Sequence, residues 1–241
     1  MELKTIRQKE AIKLGWDIAL KKIWFFVVIL IFIGVLNSLM SSLTASLEKQ
    51  NVNFIFIFIV DIVSFAISLL MSLGLIKISL DLIKDLPVKF SDLFSGRKLI
   101  LKQFVGSIII FLAITLPIAV SVLIILLLAF LKTPIIVTII IAILLIVIAL
   151  AISIWLGLKF TFYSYFIVDK GAGPIEALKL SSKITDKVKW RLLLLSLTLA
   201  GINILGFLAL FVGLFITIPL STIAKAKVYR QLSEQTEGLN N

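Results

Sequence analysis

The chain has 241 residues, 61% of them hydrophobic, with a mean hydropathy of +1.18 and a net charge of +11. A chain this apolar excludes the classes of protein whose main solvent is water. It has no cysteine and no histidine, which excludes disulfides, thiol nucleophiles, ordinary zinc sites and histidine acid–base chemistry.

In chain order, a basic lead-in comes first. Ala11, Leu14, Gly15 and Ile18 recur at helical spacing, and Lys13, Asp17 and Lys21 are set four apart for opposite-charge pairing, so an interfacial helix is expected over residues 3–21. The first apolar run starts at Ile23 and is too long for a signal-peptide core, so it is expected to stay as a span. Uncharged or nearly uncharged runs predict spans over 23–47, 52–77, 104–131 and 135–158. Pro117 falls inside the third and predicts a kink that neighbouring helices accommodate. Between the second and third spans lies a polar loop punctuated by Pro87 and Gly96, with Ser91 as the expected cap of a short helical turn.

Lys159 to Arg191 is the longest polar interruption. Phe160, Phe162, Tyr163, Tyr165 and Phe166 read as an aromatic cluster at the membrane edge. A turn at Asp169, Gly171 and Gly173 follows, then Pro174 at a first helical position and Glu176 in the first turn. Glu176, Lys179, Lys183 and Lys187 line one face of the helix so begun, and Ala177, Leu178, Ser181, Ile184 and Val188 the other, predicting an interfacial helix over 174–187. The uncharged run from Leu192 to Ala224 is too long for one crossing and is expected to be a hairpin of two short spans, 191–207 and 209–230, turning between Asn203 and Gly213 and followed by a frayed polar tail.

Charge placement orients the spans. With six spans and the N-terminus inside, 22 of the 24 Lys and Arg residues fall on the cytoplasmic side, and only Lys49 and Lys132 fall outside. The expected fold class is therefore all-α: one polytopic integral membrane domain over 1–241, six transmembrane helices with cytoplasmic interfacial helices, in the cell membrane with both termini cytoplasmic. The same placement accounts for the basic charge through anionic lipid head groups, without nucleic acid.

Four stretches carry a resemblance: KLGWDIALKKIWFF, LGLIKISLDLIKDLPVKFSDLFSG, YFIVDKGAGPIEALKLSSKITDKVKWRL and GLFITIPLSTIAKAKVYRQL. Together the chain resembles an uncharacterised prokaryotic family of six-span integral membrane proteins, related to the membrane domain fused to some glycerophosphodiester phosphodiesterases. The resemblance implies a six-helix membrane fold with cytoplasmic interfacial helices and supplies no reaction. The soluble phosphodiesterase domain, with its metal-binding acids and histidines, has no counterpart in this sequence.

Two candidate sites stand out. Asp61 is an acid within a span, costly unless paired or hydrated, and Ser64 and Ser68 share its helical stripe. With Asn37 and Asn203 they are candidates for an intramembrane polar patch; the favoured alternative is plain interhelical hydrogen bonding, or an acid that snorkels to the outer surface. The second candidate is the cytoplasmic face of Asp169, Gly171, Gly173, Pro174, Glu176, Lys179, Lys183 and Lys187. Its glycine turn lacks the spacing of a phosphate loop. No catalytic, metal or cofactor constellation is expected. The function expected is a non-enzymatic accessory or scaffold that engages anionic lipids, a protein partner or a second copy of itself. The alternative is a small transporter or permease component for a lipid or amphipathic solute that uses Asp61.

Overall fold

A computed structural model describes residues 6–238, and everything described as regular structure is helical. The elements are α1 (Gln8–Lys21), α2 (Ile23–Lys49), α3 (Phe54–Leu82), a 3-10 segment (Phe90–Leu99), α4 (Ile100–Phe130), α5 (Ile135–Lys159), α6 (Tyr163–Lys170), α7 (Pro174–Thr185), α8 (Lys189–Leu208) and α9 (Leu214–Gly238). Five of them (α2, α3, α4, α5 and α8) lie in helical runs long and apolar enough to cross a membrane. Their flanks stay open: Leu101, Leu123, Phe130 and Ile140 are among many large apolar side chains left exposed. That much contiguous apolar surface is stable only against lipid. This is the form of a helical membrane protein.

Three antiparallel hairpins make up the bundle. Thr44 bonds Asp61 and Ser68 bonds Asn37 between α2 and α3; Ser121 bonds the Leu145 carbonyl and Ser153 the Ile114 carbonyl between α4 and α5; Asn203 bonds Ser221 between α8 and α9. Short turns close them, and the left-handed backbone at Asn51, Lys132, Leu210 and Phe211 falls in those turns. The other end carries α1, the 3-10 segment, α6, α7 and the second half of α9, knitted together by side-chain contacts described below. α4 stays helical through Pro117. Proline removes one backbone donor there, and the Ser153 hydroxyl of α5 donates to Ile114 beside the gap.

Several sequence expectations need correction. The second span runs past residue 77 to Leu82, because the Lys77 ammonium pairs with Asp81 one turn on at 2.8 Å and keeps the helix going. Ser91 is not the cap of the loop helix. Asp92 accepts from the Lys89 amide at 2.6 Å and starts a 3-10 segment instead. The first helix begins at Gln8; residues 3–5 of the expected range lie outside the described residues. Its ion pairs are Glu10 with Arg7 and with Lys227, in place of the expected Lys13–Asp17–Lys21 ladder.

The last helix departs furthest. Its apolar stretch, Leu214–Ala224, has 11 residues and extends about 16 Å, half of a hydrocarbon core of about 30 Å. Beyond it the expected frayed tail is helix to Gly238. Tyr229 and Leu232 are fully buried and Ser233 and Thr236 nearly so, a stripe at i, i+3, i+4 and i+7. The final residues, 239–241, lie outside the described residues.

Backbone-to-backbone proximity fixes how these parts dock. A Cβ on Gly74 of α3 would lie 2.1 Å from the Leu93 carbonyl oxygen of the 3-10 segment, and one on Gly15 of α1 would lie 2.7 Å from the Leu220 carbonyl oxygen of α9. A Cβ on Gly201 meets nothing within 4 Å. Gly74→Ala is therefore expected to cost about 3 kcal/mol through overpacking against backbone that cannot yield. Gly201→Ala is expected to be neutral or to stabilise by up to about 1 kcal/mol through helix propensity. Thermal unfolding of the two variants in the same detergent checks the contrast.

Candidate functional site

The polar end is built around the second half of α9. Tyr229 inserts between the rings of α6: Tyr165 stacks on it at 5.3 Å between centroids, Phe166 meets it edge-on at 5.0 Å, and Phe162 closes the group at 6.0 Å. These rings are buried. The aromatic cluster expected at the membrane edge is thus, for Phe162, Tyr165 and Phe166, the interior of a helical layer. Tyr229, distant in sequence, covers the faces that lipid would otherwise meet. Burial pushes the Tyr165 phenol well above its ordinary range, and burial together with the Asp169 carboxylate does the same to Tyr229. Both remain neutral donors.

Asp169 joins three segments. Its Oδ2 accepts from the Tyr229 hydroxyl at 3.0 Å and lies 3.7 Å from Arg230; its Oδ1 lies 3.5 Å from the Lys84 ammonium, which follows α3. The carboxylate side chain is only 15% exposed, so these contacts act where water screens them poorly. Lys170 next to it pairs with Glu237 near the end of α9, and that contact holds the Glu237 carboxyl below its usual range. Lys102 at the start of α4 donates to the Gly171 carbonyl. Gly171 has φ +63°, the left-handed backbone that ends α6 and that a side chain would strain.

From this turn α7 starts. The Gly173 amide donates to Glu176 at 3.2 Å and Pro174 takes the first helical position. Ala177, Leu178, Ser181 and Ile184 are buried, and Glu176, Lys179, Lys183 and Lys187 are exposed. The buried face meets protein: the Ser181 hydroxyl accepts from the Phe162 amide and donates to the Lys159 carbonyl. The helix ends at Thr185, and Lys187 lies in the following turn with φ 64°. Asp169, Gly171, Gly173, Pro174 and Glu176 therefore form one local unit, while the lysines form an outward face beside it.

The intramembrane candidates are spread further. Asp61 is exposed on α3 and accepts from Thr44 at 3.1 Å. Ser64 is half-buried on the same helix. Ser68 bonds Asn37 at 3.2 Å, about 10 Å along the helix from Asp61. Asn37, Ser68, Ser72 and Thr222 line a cleft of about 230 Å³ between α2, α3 and α9. Asn203 lies apart from them, bonded to Ser221. Among the described residues, Asp61 takes part in no ion pair, and no group of three or more acids could hold a metal.

Tyr229, Arg230, Lys84 and Glu237 escaped the sequence reading. The period of Tyr229, Leu232, Ser233 and Thr236 was the available signal, diluted by the charges between them.

The fold and this layer define a helical membrane protein with a folded polar end. Over residues 1–236 the chain matches the family described as Protein of unknown function (DUF975), and it belongs to that family. No curated protein and no solved structure matches it.

Replacing Asp169 by Asn is expected to cost about 2 kcal/mol, since Tyr229, Arg230 and Lys84 lose a charged acceptor. Tyr229→Phe is expected to cost about 1 kcal/mol. The double variant should fall short of the sum, because the two residues share one bond. Chemical unfolding of the four proteins checks this.

Proposed function

We propose that the chain is a non-enzymatic scaffold of a prokaryotic cell membrane, whose cytoplasmic face engages anionic head groups and a protein partner. One observation carries the reading. The end of the molecule with a folded polar layer is the end to which 22 of the 24 Lys and Arg residues belong by sequence, and the opposite end holds Lys49, the last residue of α2, and Lys132 in the turn after α4. On this reading α1, α7 and both termini lie on the cytoplasmic side. The exposed face of Lys179, Lys183 and Lys187 meets acidic lipid or an acidic partner surface. The relation to the membrane domain of glycerophosphodiester phosphodiesterases is part of the proposal.

The α8–α9 hairpin returns the chain to the same side whether it crosses as the fifth and sixth spans or turns within the bilayer. Because the sequence has no cysteine, a single cysteine in place of Leu210 reports the difference. A six-span protein labels at that position from outside with an impermeant maleimide, and a cysteine in place of Lys183 labels only from inside. Labelling of the Lys183 position from outside overturns the orientation. Crosslinking pull-downs and lipid-enrichment measurements test the scaffold itself: replacing Lys179, Lys183 and Lys187 by Gln should remove most of the enrichment of anionic lipid, and no change would defeat the reading.

The cleft that Asn37, Ser68, Ser72 and Thr222 share with Ile33, Met71, Leu75 and Ile76 favours a second reading, a small transporter or permease component for a lipid or amphipathic solute. On that reading Asp61, about 10 Å along α3 from Ser68, is the intramembrane polar element. Flux into reconstituted vesicles that falls at least tenfold with Asp61→Asn would support it; flux that does not change removes Asp61 from the role.

A further inference from the structure

The α1 helix leaves a groove where it crosses the α8–α9 hairpin. The groove has a volume of about 610 Å³ and nearly apolar walls, with Trp16 on α1, Ile202 and Leu205 on α8 and Thr217 on α9. A volume of that size lies within the range of small-molecule sites. Lys9 and Lys13 stand on its rim, one turn apart on the stripe that also carries Trp16, and both are exposed. Lys9 is also a wall of a second, more polar recess of about 550 Å³, to which Arg7 and Arg191 contribute. The one acid there, Glu10, is held by Arg7 and Lys227. An apolar slot and a cation-rich recess therefore share a residue.

We propose that this groove is a binding site for one anionic glycerophospholipid of the surrounding bilayer. The acyl chain lies along Ile202 and Leu205 and the phosphate sits at Lys9 and Lys13, with Arg7 and Arg191 around the head group. The apolar slot suits an acyl chain and the cations beside it suit a phosphate, the two ends of one phospholipid. Trp16 is the type of side chain that favours the interfacial level between them. The proposal deepens the lipid-engaging reading given above and rests on it, but it concerns a single tightly held lipid rather than attraction to a charged surface.

The test uses the full chain reconstituted in mixed phosphatidylcholine–phosphatidylglycerol bilayers, extracted into detergent at high salt, and weighed by native mass spectrometry. One retained phosphatidylglycerol per chain is expected. Retention should fall about fivefold for each of Lys9→Gln and Lys13→Gln, the weight of one lysine near an anionic head group. Leu205→Trp, at an exposed position, fills the slot and should abolish retention with helical content unchanged. Lys132→Gln, at the opposite end, should change nothing. Retention of phosphatidylcholine as readily as phosphatidylglycerol, or retention that survives Leu205→Trp in a folded protein, overturns the site. The Gln variant at Lys179, Lys183 and Lys187 separates the two readings. It should remove only the salt-sensitive enrichment: enrichment that persists in this variant defeats the surface reading, and a retained phosphatidylglycerol that is lost with it defeats the groove.

Discussion

The polar end of the molecule is arranged around the burial of the second half of α9. Tyr229 is fully covered by the rings of α6, and its hydroxyl reaches Asp169, which in turn holds Lys84 and Arg230. An aromatic core with a charged clasp at its rim sets α3, α6 and α9 in one register. Each fully buried large apolar side chain contributes on the order of 2 kcal/mol. The clasp adds direction to that burial, because a carboxylate accepts only along its lone pairs.

The spans themselves are held by different means. Their outer faces meet lipid, which leaves no hydrophobic drive between helices. Small residues and interhelical hydrogen bonds take its place: Gly206 lies against Gly213 and Thr217 where α8 turns into α9, Gly106 admits the Tyr163 ring, and Ser121 and Ser153 bond carbonyls across α4 and α5. The protein thus has two kinds of interior. One is a water-type core at the polar end, and the other is a set of close helix contacts within the apolar bundle. The groove beside α1 lies where the two meet.

This division gives the functional reading its shape. A polar layer so tightly knit could hold a fixed surface at the membrane face, with the lysines of α7 turned outward and the small residues Ala11, Gly15 and Ala19 of α1 turned in toward α9. α1 docks on protein through that small-residue face, and its opposite stripe, with Lys9, Lys13 and Trp16, is left to the groove.

The helical class, the positions of α2 to α5 to within a few residues, the α8–α9 turn and the amphipathic division of α7 were legible in the chain's own order. These follow from local composition and period, which a chain carries in its own order. Asp169 was legible as a candidate because it stands beside a glycine turn, but its partners were not. Lys84, Tyr229 and Arg230 come from distant segments, and no period links them. The same holds for Asn203, which shares a polar type with Asn37 but faces Ser221 on another side of α9. That residues 225–236 carry a buried face depended on the assembled fold, because the rings and small residues that cover it come from α1 and α6. A stripe of buried residues among charges reads as a tail until the surfaces that cover it are in place.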